Sequence, residues 1–253
     1  MKERTGGIRG LKTESEKLYK KLLFWKELLF PLRCVICDEV TDDKVAGICK
    51  KCVVKIKYVT VPFCMKCGKH ITKEEGEYCN DCSKRKHYFA QGTALYEYGS
   101  MADSLFRFKY ASRAEYAGFY GRELWERRGR WLMSLNADAL VPVPAHSSRV
   151  RKRGYNQAAL IAEELSKYSG VPVNEKLIVK KKRTRSQKEL SLWQRQNNLK
   201  KAFKILQNDV KLNTVVIIDD IYTTGSTIDA VAELLLQSGV CKIYFMVLAI
   251  GQS

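Results

Sequence analysis

The chain has 253 residues, an apolar fraction of 45% and a net charge of +18. That length admits one large domain or two smaller ones, and that apolar content is enough to bury a core. No apolar run approaches the roughly 18 residues that cross a bilayer, so no transmembrane helix is expected, and the basic excess favours polyanionic partners, nucleic acid foremost.

Residues 14–30 place Leu18, Leu22, Trp25 and Leu29 on one helical face, with Lys17, Lys20, Lys21 and Lys26 mostly elsewhere, and Pro31 ends the pattern. This predicts a basic amphipathic helix. Such a helix can lie on a membrane surface, but one this short, running straight into a cysteine-rich segment, is expected to pack its apolar face on a neighbouring domain.

Eight of the nine cysteines then fall in four Cys-x-x-Cys pairs starting at Cys34, Cys49, Cys64 and Cys79, an internal repeat of 15 residues. The first residues, Met1 to Gly7, are polar and carry no apolar leader segment. Metal-bound thiolates in a reducing, cytoplasmic compartment are therefore expected rather than disulfides.

From about Gln91 the composition changes, and helix and strand patterns replace the cysteines. Thr93–Tyr98 alternates like a strand, and Met101–Arg128 is mostly helical. Ala139–Val143 reads as a short strand entering a Pro142–Pro144 loop, Asn156–Ser169 as a helix stopped by Gly170, and Leu177–Val179 as another short strand. Lys180–Lys188 is basic and has no apolar stripe. Val215–Ile218 is a strand, Ser226–Gln237 a helix and Lys242–Ile250 a strand. Strands alternating with helices predict an α/β fold with a mainly parallel sheet.

Zinc takes four tetrahedral thiolates, and two Cys-x-x-Cys knuckles complete one site. Cys34, Cys37, Cys49 and Cys52 form one candidate site, and Cys64, Cys67, Cys79 and Cys82 a second, each a small ribbon with Gly47, Gly68 or Gly76 near its turns. A cross-braced pairing, first pair with third, stays open. Sites closed by four thiolates leave no position for water, so two structural zinc ions are expected. His70 and His87, flanking the module, are expected at the surface. Lys50, Lys51, Lys55, Lys57, Lys66 and Lys69 make the module a candidate contact for phosphate backbones. Among them, Tyr58, Phe63, Tyr78, Tyr88 and Phe89 either stack on bases or form the module's own core.

The most informative stretch is Val215-Val216-Ile217-Ile218-Asp219-Asp220-Ile221-Tyr222-Thr223-Thr224-Gly225-Ser226-Thr227. A buried β-branched run leads to two carboxylates and a hydroxyl-rich turn that opens a helix. Ligands of open α/β sheets sit at the carboxyl ends of strands, and the free N–H groups of a helix start suit a phosphate. Thr223, Thr224, Ser226 and Thr227 add hydroxyl donors, and Gly225 lets the backbone approach closely. Asp219 and Asp220, one step back, can accept from ribose hydroxyls. The alternative is an ordinary capped turn. The glycine-rich signatures of nucleotide triphosphatases and dinucleotide enzymes are absent.

This stretch resembles the 5-phosphoribosyl-1-pyrophosphate (PRPP) motif of type I phosphoribosyltransferases, and the chain from about Leu28 onward is similar to the ComF/GntX-like family, which joins a double zinc ribbon to that domain. Leu29-Phe30-Pro31, Phe108-Lys109-Tyr110, Val141-Pro142-Val143-Pro144 and Arg153-Gly154-Tyr155-Asn156-Gln157 carry the likeness, with Thr184, Gln187, Arg195, Asn198 and Phe203 in a variable loop. Ser186 and Ala145-His146 depart from it. With residues 1–31 read as the amphipathic helix, the resemblance implies 32–90 as a double zinc ribbon and 91–253 as a phosphoribosyltransferase-like domain with helices on both faces of its sheet.

It also implies roles. Asp219 and Asp220 would hold the ribose hydroxyls of PRPP, and Thr223, Thr224, Gly225, Ser226 and Thr227 its 5-phosphate. The turn after Pro144, with Arg149, would face pyrophosphate, and residues from about Arg183 to Arg195 would close over the site. Magnesium would ride mainly on the substrate's diphosphate. His146 is either a solvent-facing loop residue or an acid or phosphate contact. Relatives of this kind are linked to natural transformation. The expected role is therefore binding PRPP and single-stranded DNA in DNA uptake, with competence-machinery proteins as partners. The alternative is an active phosphoribosyltransferase of nucleotide metabolism with an acceptor the sequence does not name.

Overall fold

The computed structural model describes residues 18, 21–22, 25, 31–41, 47–72, 74, 76–180, 202–206 and 211–251. Residues 1–53 and 54–253 form two compact units.

In the first unit, Leu18, Lys21, Leu22 and Trp25 are helical; the rest of the expected 14–30 helix lies outside the described residues. Leu18, Leu22 and Trp25 are exposed. Around the first cysteines, Cys34, Val35, Ile48 and Cys52 are buried, and α1 (Lys50–Val53) closes the segment.

The second unit begins with a ribbon of the same design, ending in α2 (Asn80–Lys84). There follow β1 (Gln91–Glu97), α3 (Tyr98–Tyr110), α4 (Tyr116–Ser134), β2 (Ala139–Pro142), α5 (Ser147–Arg153), α6 (Gln157–Ser169), β3 (Ile178–Lys180), β4 (Phe203–Ile205), β5 (Thr214–Tyr222), α7 (Ser226–Gln237) and β6 (Lys242–Ile250). The four long strands pair in the order β1-β6-β5-β2, all parallel, while β3 and β4 form a separate antiparallel pair.

Strands β5 and β6 are apolar through most of their length because both faces are covered. Val215 and Ile217 share a core with Ile228, Val231 and Leu235 of α7, whereas α3, α4 and α6 pack together and on the other face. Helix α6 starts and stops where the sequence indicates: Asn156 is its N-cap, and Gly170 takes φ 71° at its C-terminus.

The second ribbon is built onto the edge of this sheet. Residues 57–59 run antiparallel to β1 through Val59 N–H to Leu95 O (3.0 Å) and Glu97 N–H to Lys57 O (2.9 Å). Gly68, at φ 75°, lies so close to β1 that a Cβ there would sit 2.8 Å from the Gly92 carbonyl oxygen. Cys64, Cys67, Cys79 and Phe89 belong to the same core as β5 and β6.

Candidate functional site

The two cysteine quartets repeat each other at an offset of 30 residues. Cys34 N–H donates to Glu39 O (2.8 Å) and Cys64 N–H to Lys69 O (2.7 Å); Val35 N–H reaches Gly47 O (3.0 Å) and Met65 N–H reaches Glu77 O (2.9 Å). Each first knuckle turns through a left-handed residue, Asp38 at φ 64° and Gly68 at φ 75°. The four sulfurs of Cys34, Cys37, Cys49 and Cys52 lie within 4.8 Å of one another, as do those of Cys64, Cys67, Cys79 and Cys82. Cys37 Sγ and Cys49 Sγ are 3.9 Å apart, and Cys67 Sγ and Cys79 Sγ 3.7 Å apart. A tetrahedral zinc with Zn–S near 2.3 Å requires about 3.8 Å between sulfurs, so both donor sets fit zinc. The pairing is first with second and third with fourth, not cross-braced.

Several side chains near the second ribbon differ from expectation. His70 is exposed, but His87 is buried, with Nδ1 2.8 Å from Asp229 Oδ2. Lys69 is buried too, its ammonium 3.0 Å from Asp81 Oδ2, so it offers nothing to a polyanion. Phe89 lies in the core, and Tyr58 is tied to Glu123 (2.7 Å) beneath the Arg127 guanidinium. Tyr78 and Tyr88 are exposed. Spacing cannot reveal these burials, because His87 and Tyr58 meet carboxylates of α7 and α4, distant in sequence, and Lys69 meets Asp81 across the ribbon.

The second site sits at the carboxyl end of β5. The strand runs through the acidic pair to Tyr222 rather than ending at Ile218. A cleft of about 440 Å³ is lined by Asp219, Asp220, Thr223 and Thr227, by Val143, Pro144 and Ala145 after β2, and by Arg149 of α5. Thr224, Gly225 and Ser226 complete the turn, with Thr224 Oγ1 2.9 Å from Ser226 Oγ. Gly225 has φ 76°, and a Cβ there would lie 2.5 Å from Tyr222 OH, so both backbone and space demand glycine.

Both carboxylates line the cleft and share Lys109 as a neighbouring cation. Asp220 pairs with Lys109 Nζ at 2.9 Å. Burial pushes the Asp219 carboxyl up to about 7 and the Asp220 charge adds to this, against the Asp220 N–H (2.9 Å), Lys109 and Lys180. Burial, then Arg149, pulls Lys180 below its ordinary value, opposed by Asp219. Two carboxylates and four cations in one cleft can hold hydroxyls and oxyanions side by side.

Lys109, Arg153 and Lys180 also line the cleft, as do Tyr98 and Tyr110. The sequence offers a signal for Lys109 and Tyr110, in the Phe108-Lys109-Tyr110 stretch, and for Arg153, at the start of the Arg153-to-Gln157 stretch. Their structural reason is now visible. Tyr155 OH (2.6 Å) and Gln157 Nε2 (3.4 Å) both donate to the Phe108 carbonyl, which fixes the α3 end carrying Lys109. Arg153 lies over Tyr110 at 4.6 Å and bonds Gln157 Oε1 at 3.0 Å. His146 caps α5, its Nδ1 accepting from Ser148 N–H at 3.1 Å. The loop expected over residues 183–195 lies outside the described residues, as do Thr184, Gln187 and Asn198.

Comparison with known proteins gives matches to both parts of the chain. A double zinc ribbon domain model matches residues 25–83, and a phosphoribosyl transferase domain model matches residues 150–253. Competence protein F of Haemophilus influenzae is 30% identical over 220 residues, covering 85% of this chain and 95% of that protein. The chain belongs to this ComF family. Competence protein ComFC of Bacillus subtilis is 30% identical over 230 residues, 82% of this chain and 90% of that one. DNA utilization protein YhgH of Escherichia coli is 28% identical over 221 residues, 85% and 96% respectively. A purine phosphoribosyltransferase structure from Pyrococcus horikoshii overlaps 53% of this chain and 83% of its own at TM-score 0.34 and 18% identity; the fold assignment rests on the sheet and the family match instead. The ComF member described here thus joins two zinc-binding cysteine clusters to a phosphoribosyltransferase-type domain, and among its described residues no helix is long and apolar enough to cross a membrane.

Proposed function

We propose that this ComF protein binds PRPP in the β5 cleft and single-stranded DNA on its basic surface, and that it serves DNA uptake in natural transformation, with other competence proteins as partners. The observation that carries the reading is the acidic pair Asp219–Asp220 beside the Thr223–Thr227 turn, in a cleft that also presents Lys109, Arg149, Arg153 and Lys180. The carboxylates accept from ribose hydroxyls, and the turn's N–H and hydroxyl groups take the 5-phosphate. The cations face the pyrophosphate, whose charge is shared with magnesium held mainly by the diphosphate itself. DNA binding is supported by the +18 charge and by exposed Lys51, Lys55, Arg151 and Lys152.

A second reading, turnover of PRPP, is favoured by one feature. Tyr98 and Tyr110 line the cleft beside the acidic pair, where a flat nucleophile could stack and bond to C1 as the C1–O bond to pyrophosphate breaks. Isothermal titration with PRPP and magnesium, with and without a short single strand, tests the proposal. Heat from PRPP and separate heat from DNA are expected; no PRPP binding in either titration overturns it.

A further inference from the structure

The second ribbon touches the 223–227 turn by two routes. The first is polar. Cys82 Sγ lies 3.5 Å from His87 Nε2, and His87 Nδ1 lies 2.8 Å from Asp229 Oδ2. Tyr88 N–H donates to the other oxygen, Asp229 Oδ1, at 3.1 Å. Asp229 stands in the first turn of α7, where its own N–H donates to the Gly225 carbonyl at 2.8 Å. Its carboxylate is therefore spent on residues 87–88 rather than on capping its own helix. The His87 side chain is 1% exposed, so the ring at the centre of the bridge is shielded from water, while Asp229 and Cys82 at its ends are partly buried.

The second route is packed. The His87 ring stacks on Phe89 (4.7 Å, 24°), and Phe89 meets Tyr222 (6.4 Å) and Phe245 (4.8 Å) edge-on. Tyr222 lies flat on Phe245 (4.9 Å, 4°) and puts its hydroxyl under Gly225. Both routes end on the same turn. The first ribbon has no counterpart: the 30-residue offset that relates the two quartets places Lys57 where the second has His87.

We propose that His87 and Asp229 couple the second zinc ribbon to the 223–227 turn, so that zinc held by Cys64, Cys67, Cys79 and Cys82 and a phosphate ester held at the turn stabilise each other. The proposal rests on the reading of that turn as a phosphate site. Metal fixes the Cys82 sulfur, the sulfur and Asp229 fix the His87 ring between them, and the ring holds the start of α7. Without metal, Cys82 is released, and the helix start loses its partner on one side and its packed floor on the other. Linkage is reciprocal, so whatever zinc does for the phosphate the phosphate must do for zinc. His87 and Asp229 act as positioning residues, touching neither the metal nor the ligand.

The test follows zinc release from the full chain into a chelating dye, with ribose 5-phosphate as the probe. Cys34→Ser, which cripples the first ribbon, identifies the kinetic phase of the second. Asp229→Asn and His87→Gln are expected to speed that phase about 10- to 100-fold, the usual cost of losing an outer-shell partner, and to leave the first ribbon's phase unchanged. Ribose 5-phosphate is expected to slow it in the parent and not in either variant. Val231→Ala cuts a core contact of the same helix without touching His87; equal acceleration there would mean general loosening and would overturn the coupling. An unchanged second phase in both bridge variants overturns it too. Ribose 5-phosphate that binds the parent by calorimetry yet leaves release untouched defeats the coupling alone. Ribose 5-phosphate that does not bind defeats the phosphate reading, and the coupling with it.

Discussion

Asp219 carries the tension of the cleft. Its carboxyl is pushed from an ordinary 3.8 up to about 7, first by burial and then by the Asp220 charge. A carboxyl that holds its proton more tightly folded than unfolded contributes stability fully present below the unfolded value. That contribution is lost as pH climbs through the folded value. Asp219→Asn keeps an oxygen for the Asp220 N–H and removes the charge. It is therefore expected to raise Tm by roughly 2–6 °C at pH 8 and to change it little at pH 4, read by thermal melts across that range. A variant less stable at high pH would contradict this account of Asp219. The same electrostatic cost marks the pair as a candidate ligand site, where ribose hydroxyls would add donors to the crowded carboxylates.

Among the elements, the second ribbon and the sheet share one core, with Cys64, Cys67 and Cys79 buried beside Phe89 and Phe245. The two ribbons should therefore fail differently. Cys34→Ser is expected to lose one zinc and leave the melting of residues 54–253 intact. Cys67→Ser should also lower the main transition, seen by near-ultraviolet circular dichroism alongside metal analysis, since metal binding and folding are linked. If both variants leave the main transition unchanged, the ribbons are equivalent appendages.

Much of this organisation is legible in the sequence. Helix α7 and strand β6 fall at the expected residues because their periods are clean and a glycine and a hydroxyl mark the helix start. The eight cysteine ligands follow from spacing, but their grouping does not, because a cross-braced pairing satisfies the same spacing and only the fold brings Cys34 to Cys52 and Cys64 to Cys82 together. Helix α5 is not legible, since Ser147–Arg153 has no apolar stripe and depends on the His146 cap and on Gly154 at φ 88°. Nor is Lys180 legible as a cleft residue, and Lys109 is marked only by its motif: their placement depends on contacts between elements distant in sequence, which no local pattern encodes. The burial of His87 and Lys69 is hidden for the same reason.

At the scale of the whole molecule, the +18 charge and the two metal sites set the remaining expectations. Protein prepared without chelator should carry two zinc ions per chain by elemental analysis, and one or none would contradict the double ribbon. Affinity for single-stranded DNA should fall steeply with salt, each neutralised phosphate adding about −0.7 to the slope of log K against log salt. Three to five contacts give a slope of roughly −2 to −3.5. Charge reversal at Lys51 and Lys55 should flatten the slope while PRPP binding persists; binding indifferent to salt would remove the phosphate-contact argument.

On the proposed reading, the β5 end binds PRPP through its acidic pair. Calorimetric titration of PRPP with magnesium into the parent and into the Asp219→Ala, Asp220→Ala double variant tests it most directly. Saturable heat in the parent, absent in a double variant that still melts cooperatively, is the predicted result; equal affinity in both proteins would contradict it.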